Sequence, residues 1–170
     1  DWVRALTLLG SRIEAGDPPP WIGTLLLELL TEHSQQNPDR TRTILQDRLV
    51  RASSSGIPIL LVLLRQDANW PFLSEVERNF RVWSADAEIR ERLLTELSVG
   101  KDALLITRLL PILAARDPRR TVEVTIGRLA TEPEGSSAAL VKALSSFLEL
   151  DLEHSEWVQW WDDNRDQPII

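Results

Sequence analysis

Residues 85–117, ADAEIRERLLTELSVGKDALLITRLLPILAARD, contain two helical patterns in succession. The first half of this stretch places Ile89, Leu93 and Leu97 at four-residue intervals, which bring the three side chains onto one side of a helix. Its second half, which begins after Gly100, is rich in Leu at the same kind of spacing. The stretch therefore predicts two amphipathic helices joined by a short turn at Gly100.

Two other stretches share this design. Residues 37–67, NPDRTRTILQDRLVRASSSGIPILLVLLRQD, and residues 118–151, PRRTVEVTIGRLATEPEGSSAALVKALSSFLELD, each combine a charged start, an amphipathic helix and a Leu-rich second helix. The turns contain Gly56, Gly100 and Gly135, and the units close at Asp67, Asp117 and Asp151. The chain thus contains a helix-turn-helix repeat of 31, 33 and 34 residues, with residues 68–84 as an insertion.

Turn-forming segments separate apolar stripes along the rest of the chain. Stretches such as GDPPP, NPD, DANWP and EPEGSS interrupt the helical periodicity. The predicted helices are 2–14, 21–34, 39–52, 57–66, 74–83, 86–98, 101–115, 119–131, 137–149 and 155–164. Residues 121–127, TVEVTIG, also alternate as a strand does, but the set Val122, Ile126 and Leu129 favours a helix. Pro111 should kink or divide its helix.

Composition restricts the class of protein. A chain of 170 residues with 43% hydrophobic content suits a single domain with a substantial core. The longest apolar runs are too short to cross a bilayer, so we expect no membrane insertion. The absence of cysteine excludes disulfides and thiolate sites and leaves the compartment open, with the cytoplasm favoured. The start at Asp1, without an initiator Met, suggests a domain excised from a larger protein.

The charge lies mostly at the C-terminal end. Residues 151–170 carry six acids and one base, whereas residues 1–150 carry 20 acids and 18 bases. A protein that binds a nucleic-acid duplex normally has a basic stripe to neutralise phosphates. A body that is nearly neutral, followed by an acidic end, makes nucleic acid an unexpected partner.

The acidic end contains SEWVQWWDDN, residues 155–164, with three of the seven tryptophans. Trp157, Trp160 and Trp161 share one side of a helix at spacings of three and four, which predicts a structural cap that covers the last apolar flank. The alternative is an aromatic platform for a base or a sugar. Ser155 is the expected N-cap of this helix, and Glu156 is expected near its positive end.

The insertion at 68–84 holds the candidate partner-binding residues. Its aromatic side chains either fold down as a satellite core or stay exposed as anchors for a protein partner, since binding hot spots favour Trp and Arg. The candidates are Trp70, Phe72, Arg78, Arg81 and Trp83, and Phe80 shares the segment.

No residue pattern indicates catalysis, a cofactor or a metal. His33 and His154 are the only histidines, and neither belongs to the spacing of four that a helical zinc site needs. Glycine-rich phosphate loops and nucleophile motifs are also absent from the sequence. We therefore name no catalytic, cofactor-binding or metal-ligating residue.

Residues 37–164 resemble the HEAT-repeat family of α-solenoids in its short bacterial form. The resemblance rests on the helix pairs and on the ending LVKALSSFLELDLEHSEWVQWWDDNR, where a Leu-rich helix leads to a W-x-x-W-W helix. Here SSFLELD replaces the more common glycine-containing connector. The resemblance implies a solenoid and a binding or scaffold role. It also brings in HEAT-like DNA glycosylases, which use Trp and Asp in a basic groove that the nearly neutral body does not favour.

Together these observations predict an all-α fold of stacked antiparallel helix pairs, a short α-solenoid of about ten helices in one domain, 1–170. Residues 1–36 form an N-terminal helix pair and residues 152–170 an acidic, Trp-rich cap. The second helices of the pairs are expected to line one face. The predicted function is non-catalytic recognition of another protein, as a scaffold or interaction domain. The alternative is a helical oligomerisation or regulatory module.

Overall fold

The computed structural model describes the backbone of residues 2–15, 19, 21–34, 36–47 and 56–169, with side chains except at 2, 3, 6, 10, 13, 14, 33, 34 and 44–47. Within these ranges the fold is all-helical and no strand is present. The α-helices are α1 (Trp2–Glu14), α2 (Trp21–Ser34), α3 (Pro38–Asp47), α4 (Ile57–Leu64), α5 (Leu73–Trp83), α6 (Ala87–Val99), α7 (Ala103–Ala114), α8 (Pro118–Leu129), α9 (Ala138–Leu148) and α10 (His154–Asn164), with a 3₁₀ turn at Glu134–Ser136.

The structure confirms the predicted all-α class with about ten helices. The third helix, expected over 39–52, is described up to Asp47, and residues 48–52 lie outside the described ranges. Residues 121–127 belong to α8, so their alternating pattern does not make a strand. Pro111 lies inside α7 and does not divide it.

The first residues of several helices are capped as their sequence suggests. The carboxylate of Asp102 accepts a hydrogen bond from the backbone N–H of Leu105 (3.1 Å), and that of Asp117 accepts from Arg120 (3.0 Å). Asp117, the last residue of a predicted repeat unit, is thus also the N-cap of α8. These bonds satisfy donors that a helix N-terminus leaves without a partner.

The start of α10 differs from the prediction. The helix begins at His154, with Glu153 as its N-cap, so Ser155 lies inside the first turn and the prediction of Ser155 as N-cap was wrong. The Glu156 carboxylate accepts from the backbone N–H of Glu153 (2.8 Å). A carboxylate in this position favours the helix start one residue earlier.

The chain divides into two compact units, the N-terminal unit (residues 1–92) and the C-terminal unit (residues 93–170), with the boundary inside α6. In the N-terminal unit, α2 packs against α1, α3 and α4, and α5 packs against α3 and α4. Gly23 allows the approach of α2 to α4, because a Cβ at that position would lie 2.9 Å from the Ile59 carbonyl oxygen. The predicted insertion, residues 68–84, contains α5 and so supplies a packed helix to this unit.

In the C-terminal unit, α7 packs against α8 and α9, and α8 packs against α9 and α10. Helices two positions apart in the chain are thus neighbours, α7 with α9 and α8 with α10, as α2 with α4 and α3 with α5 are in the other unit. This alternate-helix packing is the contact pattern of stacked helix pairs, in which each pair contacts the next.

The two cores are built from the predicted apolar stripes. The N-terminal unit buries Leu26, Leu30, Leu60, Leu61, Leu64, Phe72, Val76, Phe80 and Trp83, among others. The C-terminal unit buries Leu93, Leu97, Leu105, Leu109, Leu113, Val122, Ile126, Leu129, Leu140, Leu144 and Trp157, among others. Burial of each large apolar side chain contributes about 1.5–3 kcal/mol.

A buried acid in the N-terminal unit is paired with a base. The guanidinium of Arg42 on α3 donates to the carboxylate of Glu75 on α5, and the Ser74 hydroxyl donates to the same carboxylate (2.9 Å). Burial acts to raise the pKa of Glu75, but the hydrogen bonds from Arg42 and Ser74 outweigh it and hold that pKa below the ordinary value. This ion pair therefore links α5 to α3.

Candidate protein-binding groove

A groove runs between α7 and α9 in the C-terminal unit. It encloses about 250 Å³ and is lined by Thr107, Pro111, Lys142, Ala143, Ser146 and Phe147. We call it the α7–α9 groove. It lies between the second helices of two successive predicted repeat units, the elements that the sequence predicts to line one face.

The periodicity of the two helices determines which side chains reach the groove. On α7 the core side is taken by Leu105, Leu109 and Ile112, which leaves Thr107 and Pro111 exposed. Leu104 is 46% exposed, although it is a large apolar residue.

On α9, Leu140, Leu144 and Leu148 are buried, whereas Lys142 and Ser146 are exposed. Phe147 is half-buried. The groove lining is therefore mixed, with apolar Pro111, Ala143 and Phe147 beside polar Thr107, Lys142 and Ser146.

Pro111 changes the hydrogen-bonding capacity of this surface. Because proline has no N–H, the carbonyl of Thr107, four residues earlier, loses the donor that an α-helix normally provides. The Thr107 hydroxyl donates to the Ala103 carbonyl (2.7 Å). The residues that line the groove thus carry a Thr107 carbonyl without its usual helical donor, the Lys142 ammonium and the Ser146 hydroxyl, groups that can hydrogen-bond a polypeptide segment.

A second exposed apolar site lies in the N-terminal unit, between α1 and the start of α2. Its cavity of about 370 Å³ is lined by Leu8, Leu9, Arg12, Pro19, Trp21 and Ile22. Leu8 is 60% exposed and Trp21 is 59% exposed. Sequence reasoning missed this site. The available signal was a Trp immediately after a proline-rich turn and one residue outside the buried stripe of Ile22, Leu26 and Leu30.

The five predicted partner-binding residues differ in their exposure to solvent. Phe72 and Trp83 are buried in the N-terminal unit, so they are not available as anchors and belong to the core alternative. Trp70 is half-buried and meets Phe72 edge-on (ring centroids 5.7 Å apart). Arg78 and Arg81 remain exposed on α5. Phe72 and Trp83 are buried because α5 packs against both α3 and α4, and this packing covers the aromatic side of the helix.

The three tryptophans of the predicted cap also have different environments. Trp157 is completely buried, whereas Trp160 and Trp161 are half-buried. The Trp157 and Trp160 rings meet edge-on with centroids 5.7 Å apart. A ring nitrogen of His154 lies 3.1 Å from the Leu129 carbonyl oxygen, which joins the start of α10 to the end of α8. Trp157 therefore covers the α8 side, while the other two rings keep accessible surface.

No metal-binding cluster of three or more His, Cys, Asp or Glu residues occurs in the described part of the chain. The side chain of His33 lies outside that part, and His154 contacts a backbone carbonyl. Among the described helices, none is long and apolar enough to span a bilayer.

Comparison of the chain with protein-family models, with curated proteins and with solved structures finds no match.

Proposed function

We propose that this chain is a non-catalytic protein-interaction domain of the HEAT-like helical-repeat kind, and that the α7–α9 groove binds a segment of another protein. One observation carries the proposal. Alternate-helix packing places α7 beside α9 and leaves between them a groove lined by both apolar and polar side chains.

The composition of the groove suits a protein segment. Pro111, Ala143 and Phe147 give the groove apolar surface, and removal of such surface from water drives most protein association. The Thr107 carbonyl and Lys142 can bind backbone or carboxylate groups of the segment. A few polar groups beside apolar surface are typical of recognition sites.

The groove offers less to a nucleic acid. Lys142 is the only base among its lining residues, and its single aromatic residue is Phe147. A HEAT-like DNA glycosylase needs a basic groove with Trp and Asp at its floor. The lining residues therefore favour the interaction domain over that enzyme.

Site-specific photocrosslinking tests the proposal. A photoreactive phenylalanine replaces Ser146 in the groove, and in a matched control it replaces Gly127, an exposed position on α8 where an added Cβ meets nothing within 4 Å. Both variants are expressed in cells that produce the protein naturally. We expect a discrete adduct with another protein from position 146 and none from position 127. Equal adducts from both positions, or none from 146, would contradict the proposal.

The second candidate function is oligomerisation, favoured by the exposed Leu8 and Trp21. If these side chains join two copies of the chain, equilibrium sedimentation should show a homo-oligomer that the double change Leu8→Gln and Trp21→Ser converts to a monomer. A wild-type protein that sediments as a monomer at all concentrations would exclude this function.

A further inference from the structure

We propose that the C-terminal unit has a second docking site, at the Trp160 cavity, which selects a basic peptide segment with an apolar anchor. The Trp160 cavity is a recess of about 230 Å³ lined by Leu148, Leu150, Trp160, Asn164, Gln167, Pro168 and Ile169. These residues are distinct from those of the α7–α9 groove. The proposal does not depend on the function assigned to that groove.

The walls of the cavity are held by local hydrogen bonds. The Asn164 side-chain amide donates to the Trp160 carbonyl (2.8 Å), and the backbone N–H of Gln167 donates to the Asn164 carbonyl (2.8 Å). These bonds turn the chain after α10, and Pro168 and Ile169 then form one wall of the cavity. The opposite wall comes from Leu148 and Leu150, at the end of α9. The recess is therefore formed before a ligand arrives.

Trp160 gives the cavity an aromatic surface. Its ring is half-buried, with the Trp157 ring edge-on at 5.7 Å and the Trp161 ring at 6.5 Å. The cavity lining presents mainly apolar side chains to an anchor residue. An indole face also attracts a Lys or Arg side chain that lies over it.

The charge around the cavity selects the partner. Residues 151–170 carry six acids and one base, Arg165. Asp162, Asp163 and Asp166 are exposed on α10 and immediately after it, and Glu149 is exposed beside Leu148 and Leu150. Exposed acids next to the lining residues in the chain raise the local concentration of cationic segments and repel acidic peptides and phosphates. The fitting occupant is thus a Lys- or Arg-rich segment that inserts a bulky apolar side chain.

Peptide titration of the complete chain tests this site. Two 12-residue peptides with identical leucines carry either Lys or Glu at the remaining positions. Binding is followed by NMR through the seven tryptophan indole N–H signals, with Trp160 identified from the spectrum of Trp160→Phe. We expect the Lys peptide to shift the Trp160 signal in a saturable, salt-sensitive manner and the Glu peptide to leave it unchanged.

A charge-matched pair of variants separates a site from general attraction. The triple change Asp162→Asn, Asp163→Asn and Asp166→Asn should weaken binding of the Lys peptide by about tenfold, because each exposed ion pair contributes only modestly. The triple change Glu28→Gln, Glu32→Gln and Glu134→Gln removes the same charge at exposed positions elsewhere. That control should bind as the wild type does.

Three outcomes would overturn the proposal. The first is equal weakening by the two triple variants, which would indicate unspecific attraction to an acidic protein. The second is a Trp160 signal that does not move at saturating Lys peptide. The third is a Trp160 signal that moves with protein concentration alone, which would assign the cavity to a second copy of this chain.

Discussion

The guanidinium of Arg128 on α8 donates to the backbone carbonyl of Leu97 on α6 (2.7 Å), although 31 residues separate them in the chain. The same side chain pairs with the carboxylate of Glu132 (2.7 Å), and it is only 5% exposed. One buried base thus neutralises an acid and satisfies a carbonyl near the end of α6, where intrahelical donors run out.

Removal of this base should be costly. We expect Arg128→Met to lower the free energy of unfolding by about 2–4 kcal/mol, because it leaves the partly buried Glu132 carboxylate and the Leu97 carbonyl without their partner. Urea denaturation measures the change. Arg120→Met, which breaks an exposed pair with Glu123, should change it by less than about 1 kcal/mol. Similar losses in the two variants would show that Arg128 has no special structural role.

The two environments in the tryptophan helix predict unequal losses. Trp157→Ala should cost about 3–5 kcal/mol, because the ring is completely buried. Trp161→Ala should cost roughly half as much or less, since its ring remains partly in water. Thermal or urea unfolding of the two variants side by side makes the comparison. A larger loss for Trp161 would contradict the assignment of Trp157 as the capping residue.

Glu149 ends α9 in the left-handed region, with φ 54° and ψ 34°, a conformation that strains any residue with a Cβ. It lies in the stretch SSFLELD, where α9 passes into the connector to α10. Glu149→Gly should therefore raise the free energy of unfolding by about 0.5–1 kcal/mol. The control Lys142→Gly, in the helical interior of α9, should lower it by about 1 kcal/mol. Destabilisation by both changes would show that the left-handed turn carries no strain.

The low pKa of Glu75 makes the N-terminal unit sensitive to acid. Because that pKa lies below its ordinary value of 4.5 in the folded state, the stabilisation is complete above about pH 4.5 and is lost as the pH falls through the folded-state value. Glu75→Gln should flatten this part of the profile in urea unfolding between pH 7 and pH 3. Arg42→Met should weaken it, because burial still acts to raise the pKa of Glu75 and only the Ser74 and backbone hydrogen bonds remain to lower it. An unchanged acid dependence in both variants would refute this account.

Pro111 links stability to the proposed function. Pro111→Ala restores an N–H that can donate to the Thr107 carbonyl, so we expect α7 to gain about 1–3 kcal/mol in free energy of unfolding. The same change occupies the backbone acceptor of Thr107, a residue that lines the α7–α9 groove, so the yield of the Ser146 photocrosslink should fall if the partner uses that acceptor. Increased stability with an unchanged yield would show that the carbonyl does not contact the partner.

The periodicity of the apolar residues was sufficient to predict the helices, because the local spacing of these residues determines which side of each helix is buried. Ile89, Leu93 and Leu97 are all buried as their spacing requires. The start of α10 was missed because Glu153 and Glu156 act together across the first turn, whereas Ser155 is the better N-cap residue in isolation.

The candidate site was less predictable, because exposure depends on which helices become neighbours. Phe72 and Trp160 are both large aromatic residues near turns. Phe72, at the start of α5, is buried, whereas Trp160 lines an open cavity. Arg128 lies in the last turn of α8. Its bond to Leu97 depends on a contact between α8 and α6 that no local pattern encodes.

Alternate-helix packing also limits how such a chain can change in length. Because α7 contacts α9 and α8 contacts α10, successive helices of this unit belong alternately to one of two rows. Insertion of one helix would place every later helix of that unit on the wrong side, with its apolar stripe towards water. Insertion of two would preserve each side. A longer or shorter variant of this chain should therefore keep the groove between α7 and α9 only if helices are added or removed in pairs.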